Sequence, residues 1–478
     1  MKALLAISRG PTLAAIATVV TVISLFAAGA SAEDPVSQSM IGDGVGAEIG
    51  SSNGASQAAL GCGGNAPGMA NPAAVYCHEL GYEYKILETD QGQDGICLFP
   101  DRTECNAWRF LEGKCGQSYS YCANQGYELI TKTDGRNPFS SNYSVCVLGQ
   151  REIGPVTELM GLREKASRGT FAADQRSSPP QEEGSREDLP ASFDWRNHNG
   201  QDWMTSVKDQ ANCGSCWAFS AVGVAEAAYN IGAQDPNLDV NLSEEYLVSD
   251  CYTDPSYPMN CCGGANDVAL PFLRDSGVPD EGCMPYADSG CTCPGGTCSS
   301  ANCTYYTGNN CSNKTCSDRC PDWQGRLRRI SATGGVASDP AAIKQNLVDG
   351  GPLAAAMNMS GSFDAGNIYR CIGTALQHDI VIAGYDDAGY WIVKNSWGAT
   401  WGPDGDGYFK VGYGECAIES LVTYATFAQA PTPVGGLAEL PDVSDSSGRN
   451  YIALAALAAA ATLALTAGGW YARRQLLR

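Results

Sequence analysis

The segment QANCGSCWAFS, Gln210 to Ser220, opens a nearly uncharged run that continues through Ala228. The run reads as a buried helix with Cys216 at its N-terminus. Backbone N–H groups at that end favour negative charge, so a thiol placed there is biased toward thiolate, the form that attacks carbonyl carbons. The larger activation comes from an imidazole that takes the proton. The chain has three histidines, His78, His198 and His378. His198 lies before the cysteine in the polar stretch RNHNGQD and reads as a surface residue. His78, beside Cys77 in a small cysteine-rich unit, reads as a packed or surface residue rather than a metal ligand. His378 lies downstream in ALQHDIVIAGYDD, an apolar run with the character of a strand, and is the candidate base.

CGSCW, with Gln210 before it and His378 and KNSWGATWG after it in that order, resembles the papain family of cysteine peptidases. The resemblance spans Leu189 to Thr426, about half the chain. It implies that Cys216 is the nucleophile and that Cys213 pairs with Cys261 of CCGG. Gln210 would donate to the oxyanion beside the Cys216 backbone N–H. The side-chain oxygen of Asn395 would hold the His378 ring, with Trp397 shielding that hydrogen bond from water. Gly214, Gly263 and Gly264 would line the cleft. Ala265, Ala356 and Asp379 would border the pocket for the substrate side chain two residues before the cut. Most members carry alanine or glycine where this chain has Asp379. An acid there would favour a basic or polar group in the pocket or raise the His378 pKa, and otherwise would pair locally or face solvent.

The elements that must position these groups follow from the resemblance as an α+β, papain-like fold. One subdomain would be mainly helical and carry Cys216. The other would be a β-barrel-like sheet carrying His378 and Asn395, with the cleft between them. The substrates implied are polypeptides, and neither a metal nor an organic cofactor is required. The family's long helical propeptide has no match in residues 151–188, a polar segment suited to proteolytic nicking. The expectation is that this segment before Leu189 occupies the cleft until it is cut.

Around the 189–427 domain the chain changes character several times. Residues 1–32 read as a signal peptide, with Lys2 and Arg9 before an apolar run and Ala30-Ser31-Ala32 as the cleavage site. Residues 33–61 are a Gly/Ser/Ala linker. Residues 62–150 hold seven cysteines. In them VYCHELGYEYKI…GICLF returns as SYCANQGYELIT…SVCVLG, a tandem repeat whose symmetry pairs Cys77 with Cys97 and Cys122 with Cys146. The first unit also resembles a cysteine-containing module of unknown function in exported microbial proteins, which suits a spacer or a binding module with an unknown partner. Residues 288–323 are a cysteine-rich insertion with almost no large aliphatic side chains, so disulfides must replace a core there. N-x-S/T sequons stand at Asn142, Asn241, Asn302, Asn310, Asn313 and Asn358.

Residues 428–450 read as a stalk, 451–472 as a transmembrane helix and 473–478 as a cytoplasmic tail. Tyr451, Trp470 and Tyr471 fall at the interfaces and Arg473, Arg474 and Arg478 on the inner flank. The catalytic domain is thus expected outside a cell membrane, held by a single pass. The net charge of -22 argues against nucleic-acid binding. Twenty-two cysteines in an exported chain read mostly as disulfides. With one catalytic thiol set aside an odd number remains, so another thiol is free, modified or paired between chains. Two other functions stay open on the sequence: a silent surface binding scaffold, and a transpeptidase or isopeptidase on the same fold.

Overall fold

The computed structural model describes residues 68–169, 171–172, 189–253, 259–287 and 314–427. The segments expected as signal peptide, 33–61 linker, stalk, transmembrane helix and tail, and much of the 288–323 insertion, lie outside the described residues. Among the described residues no helix is long and apolar enough to cross a membrane.

The N-terminal part is two copies of one plan. Strand β1 (Gly68–Met69) leads into α1 (Pro72–Glu79), β2 (Glu83–Thr89), β3 (Gly92–Leu98), β4 (Glu104–Asn106) and α2 (Ala107–Leu111). The plan returns as α3 (Tyr121–Asn124), β5 (Glu128–Lys132), β6 (Tyr143–Leu148), β7 (Arg151–Pro155), α4 (Val156–Leu159) and α5 (Leu162–Ala166). Each copy forms its own antiparallel three-stranded sheet, β2-β3-β4 and β5-β6-β7. Asn71 starts α1 by accepting the Ala73 N–H at 2.9 Å, with Pro72 in the first turn where no donor is needed. Units this small close little core, and disulfides Cys77–Cys97, Cys105–Cys115 and Cys122–Cys146 cross-link them. Two short strands follow, β8 (Ser167–Gly169) and β9 (Phe171–Ala172).

The second part begins with β10 (Ser192–Asp194) and the long helix α6 (Cys216–Ala233). Helix α6 is buried from Cys216 to Asn230, as its Ala-rich, nearly uncharged sequence requires. Its one acid, Glu226, pairs with Lys208 at 2.9 Å, and Lys208 also reaches Glu244 at 2.8 Å, so one ammonium is shared between two buried carboxyl groups. Helices α7 (Glu244–Val248), α8 (Asn266–Asp275) and α9 (Trp323–Arg326) complete the helical side. Cys213–Cys261, Cys251–Cys316 and Cys283–Cys320 fasten its loops.

The sheet side comprises β11 (Ala332–Val336), α10 (Pro340–Gly350), β12 (Leu353–Met357), β13 (Ser362–Phe363), β14 (Ile368–Arg370) and β15 (Ala375–Leu376). It ends with β16 (His378–Asp386), β17 (Tyr390–Lys394), β18 (Tyr408–Gly412) and β19 (Val422–Thr426). Nine strands form one sheet in the order β11-β19-β12-β16-β17-β18-β14-β13, with β10 on β16. Strand β16 is its spine and packs on α6, where the Ser220 hydroxyl donates to the Ile380 carbonyl at 2.7 Å. That contact brings the start of β16 to the start of α6.

The repeats dock against this second part. Gln93 donates to the Val207 carbonyl at 2.8 Å and accepts from Ala399 at 2.7 Å. The Trp108 indole donates to the Trp397 carbonyl at 2.8 Å, and the Trp401 indole to the Phe139 carbonyl at 2.9 Å. One apolar cluster runs through both parts.

Candidate active site

Cys216 is the free thiol among the described residues, and it opens α6. His378 opens β16, and Asn395 follows β17, the antiparallel neighbour of β16. The sheet register therefore sets the two side chains side by side. His378 Nε2 lies 2.7 Å from Asn395 Oδ1, which leaves Nδ1 as the second ring nitrogen, without a hydrogen bond. Asn395 Oδ1 also accepts the Ser396 N–H at 2.8 Å, so the acceptor is itself held. The Trp397 ring, fully buried, lies over the imidazole at 4.7 Å between centroids and covers this bond from water.

Gln210 is held against the residue that follows Asn395. Its backbone N–H donates to the Ser396 carbonyl at 3.0 Å, and Ser396 Oγ donates to Gln210 Oε1 at 2.6 Å. With the amide oxygen so engaged, Nε2 faces forward and donates to two carbonyls, those of Cys213 and Met69, each at 2.8 Å. Ser396 was not singled out in the sequence, although it stands inside the NSWG signal.

Met69 belongs to the repeats, and it fills the cleft. Gly68 lies against Gly263, where an added Cβ would stand 2.6 Å from the Gly263 Cα. Two residues on from Met69, Asn71 donates its N–H to the Ala211 carbonyl at 2.9 Å and its amide to Asp209 at 2.9 Å. Strand β8 pairs antiparallel with β1, and β9 with β15. The sequence placed the occupant of the cleft in the segment before Leu189, of which residues 173–188 lie outside the described residues. Among the described residues Gly68–Ala70 lie at the thiol, with Ser167–Gly169 alongside.

Closure of the cleft reverses the ionisation expected from the sequence. Burial, and secondly the negative charge of Asp379, push the Cys216 thiol up to about 12, although backbone hydrogen bonds from Asp379, Met69 and Trp217 work the other way. Burial also takes His378 down to about 4 against the support of the Asn395 bond. The thiolate bias of the helix end is overruled by desolvation. The expected upward effect of Asp379 on His378 is absent, and its charge acts on Cys216.

Asp379 itself is buried, and its Oδ2 accepts from the backbone and side chain of Asn266 at 3.1 and 3.0 Å. The carboxylate thus sits at the N-terminus of α8, where unpaired N–H groups favour an anion. Ala356 is its register partner on β12, and Ala265 is the residue before α8, so the three expected pocket residues are brought together. Gly214 donates its N–H to the Cys261 carbonyl at 2.9 Å, beside the Cys213–Cys261 bridge. Gly264 lies under the Trp217 ring, 2.4 Å from an added Cβ. His78 and His198 stand apart from the site: His78 packs on Tyr84, and His198 packs between Phe193 and Trp195. Among the described residues no cluster of three or more His, Cys, Asp or Glu side chains could hold a metal ion.

The family described as papain family cysteine protease matches residues 189–426, and a domain of unknown function, DUF333, matches residues 68–114. The chain is 31% identical over 285 residues to the cathepsin B-like CP2 of Giardia intestinalis, covering 57% of this chain and 82% of that protein. It is 34% identical to the viral cathepsin of Adoxophyes honmai nucleopolyhedrovirus, over 47% of this chain and 58% of that one. A procathepsin L2 structure from Tenebrio molitor larval midgut is 26% identical, over 51% of this chain and 70% of that one, with a TM-score of 0.39. The chain spans between about half and two thirds of the length of several other curated relatives. The chain belongs to the papain family of cysteine proteases.

Proposed function

We propose that this protein is a cysteine peptidase that hydrolyses polypeptides by a Cys216–His378–Asn395 mechanism at the outer face of a cell membrane. The observation that carries the reading is the Gln210 side-chain N–H donating to a peptide carbonyl, that of Met69, beside the Cys216 thiol. A group placed to hold a peptide oxygen there would also hold the oxyanion that forms when sulfur adds to the carbonyl carbon. His378 takes the thiol proton and returns it to the leaving amine, Asn395 fixes the ring, and water releases the acyl group from sulfur. The apolar stretch Tyr451–Trp470, with arginines after it, supports a single C-terminal anchor with the domain outside.

The test is labelling of the secreted chain with a peptidyl epoxide, before and after nicking ahead of Leu189, followed by intact mass. One adduct on the parent and none on Cys216→Ala is expected, with loss of peptide hydrolysis in His378→Ala. A folded parent that takes no adduct under either condition would leave a binding scaffold as the better reading.

A further inference from the structure

The strand that fills the cleft is laid across it in a defined direction. Gly68 lies on the Gly263–Gly264 side, Met69 places its carbonyl on Gln210, and Asn71 lies against Ala211 and the Trp397 carbonyl. The Met69 backbone N–H lies toward the Cys216 sulfur and favours its thiolate. The Met69 carbonyl, held by the Gln210 amide placed to hold an oxyanion, is the one at the thiol, and the peptide bond that follows it leads on to Asn71 at Ala211. Both ends of the segment are held. On one side Gly68 and Met69 pair with β8; on the other Ala70 donates to the Ala166 carbonyl at 2.9 Å and Asn71 caps α1. Such fixing turns attack on this carbonyl into an intramolecular event, which is worth many orders of magnitude in effective concentration when the geometry is right.

We infer that the Met69–Ala70 peptide bond is an internal substrate of Cys216, cut in cis. This inference rests on the peptidase reading above. The Cys216 sulfur bonds to the Met69 carbonyl carbon, with its proton passing to His378. The carbon–nitrogen bond to Ala70 breaks, and the Ala70 nitrogen keeps the electron pair and takes the proton from His378. Water then adds to the Met69 thioester, leaving a carboxylic acid on Met69 and returning a proton to sulfur. The products are a leader ending at Met69 and a chain beginning at Ala70. The new amino terminus stays seated through Asn71, which holds Ala211 and Asp209. Because the buried thiol and imidazole both favour their neutral forms, this cut is a slow single turnover.

The experiment incubates the purified full chain at several concentrations, denatures it, and reads the N-termini by mass spectrometry, with hydrolysis of a short fluorogenic peptide followed in parallel. The expected result is an Ala70 terminus that accumulates as a single exponential at a rate independent of concentration, and that is absent from Cys216→Ala. Gly68→Val cannot sit against Gly263 and should cut at least about tenfold more slowly while hydrolysing the added peptide faster. Ala70→Pro replaces the amide that breaks and removes the bond to Ala166, and should abolish the Ala70 terminus. Peptide hydrolysis by Gly68→Val with no Ala70 terminus in the parent would overturn the internal cut and leave the peptidase standing. A cut whose rate rises with concentration would overturn the cis assignment. No hydrolysis by the parent, Gly68→Val or Ala70→Pro would remove the peptidase reading itself, and the inference with it.

Discussion

The Gln210 amide nitrogen lies 2.8 Å from the carbonyl oxygen of Met69, a residue 141 positions earlier in the chain. This bond joins the proposed oxyanion donor to the repeat module, so the state of the cleft and the docking of the module are one equilibrium. Whatever loosens the repeats should expose Cys216, and whatever disorders Gln210 should weaken both catalysis and docking.

Gln210 separates these two effects from those of Ser396. Gln210→Ala removes the donor and should lower kcat about a hundredfold to a thousandfold. Ser396→Ala leaves the donor but removes the hydroxyl that holds its amide oxygen. The expected loss is about tenfold in kcat, corresponding to ~1.4 kcal/mol for one hydrogen bond, with KM little changed. Peptide kinetics in a Gly68→Val background, where the cleft is open, check both values. Equal losses in the two variants would mean that Ser396 acts by some route other than aiming Gln210.

Asp379 should act as a brake on the thiol. Its charge is the second cause, after burial, that holds Cys216 up at about 12. Asp379→Asn keeps an acceptor for the Asn266 N–H and removes the charge, so the Cys216 pKa should fall. Iodoacetamide alkylation at fixed pH should then be faster, with the midpoint of its pH–rate curve shifted down. An unchanged midpoint would place the Asp379 role in capping α8 alone.

Much of the site was legible before the fold. Gln210, Cys216, His378 and Asn395 carry recognisable local signatures, and the repeat itself pointed to Cys77–Cys97 and Cys122–Cys146, which are bonded. Met69 was not legible. Its place depends on the docking of two parts through single backbone bonds such as Gln93 to Val207, and such contacts leave no periodic trace in a sequence. The ionisation of Cys216 and His378 was not legible either, since the burial that governs it is a property of the folded site as a whole. Of the two readings open for Asp379, local pairing is what the structure shows, with Oδ2 accepting from the backbone and side chain of Asn266 at the start of α8.

Docking should respond to pH through two groups of opposite sign. His378 is lowered from 6.5 to about 4 in the docked state, so it contributes stability above about pH 6.5 that is lost as pH falls through about 4. Asp209, bonded to Asn71 and Tyr84, is raised from 3.8 to about 6 by burial. It contributes stability at low pH that is lost as pH rises through about 6. Between about pH 4 and 6 the two oppose each other. Asp209→Asn removes one of them, and release of the module in acid, read as Cys216 accessibility to a thiol-disulfide probe, should then become steeper than in the parent. A flatter profile would contradict this balance.

Gly92 offers the cleanest way to undock the repeats without touching the site. Its φ is +127°, and an added Cβ would stand 2.3 Å from the Val207 carbonyl oxygen, the acceptor of the Gln93 N–H. Neither the conformation nor the space admits a side chain, because the oxygen is backbone and β3 is tied on both sides. Gly92→Ala should therefore displace the hairpin from Val207, break the Gln93 bonds and lower docking stability by at least ~1–3 kcal/mol. Cys216 should then react faster with a small alkylating agent by about tenfold or more. Gly81→Ala is the control, since Gly81 also has a positive φ, +80°, but an added Cβ meets nothing within 4 Å. If both variants expose Cys216 equally, backbone strain within the repeats is the cause. Exposure confined to Gly92→Ala would establish the Gly92–Val207 contact as what holds Met69 in the cleft.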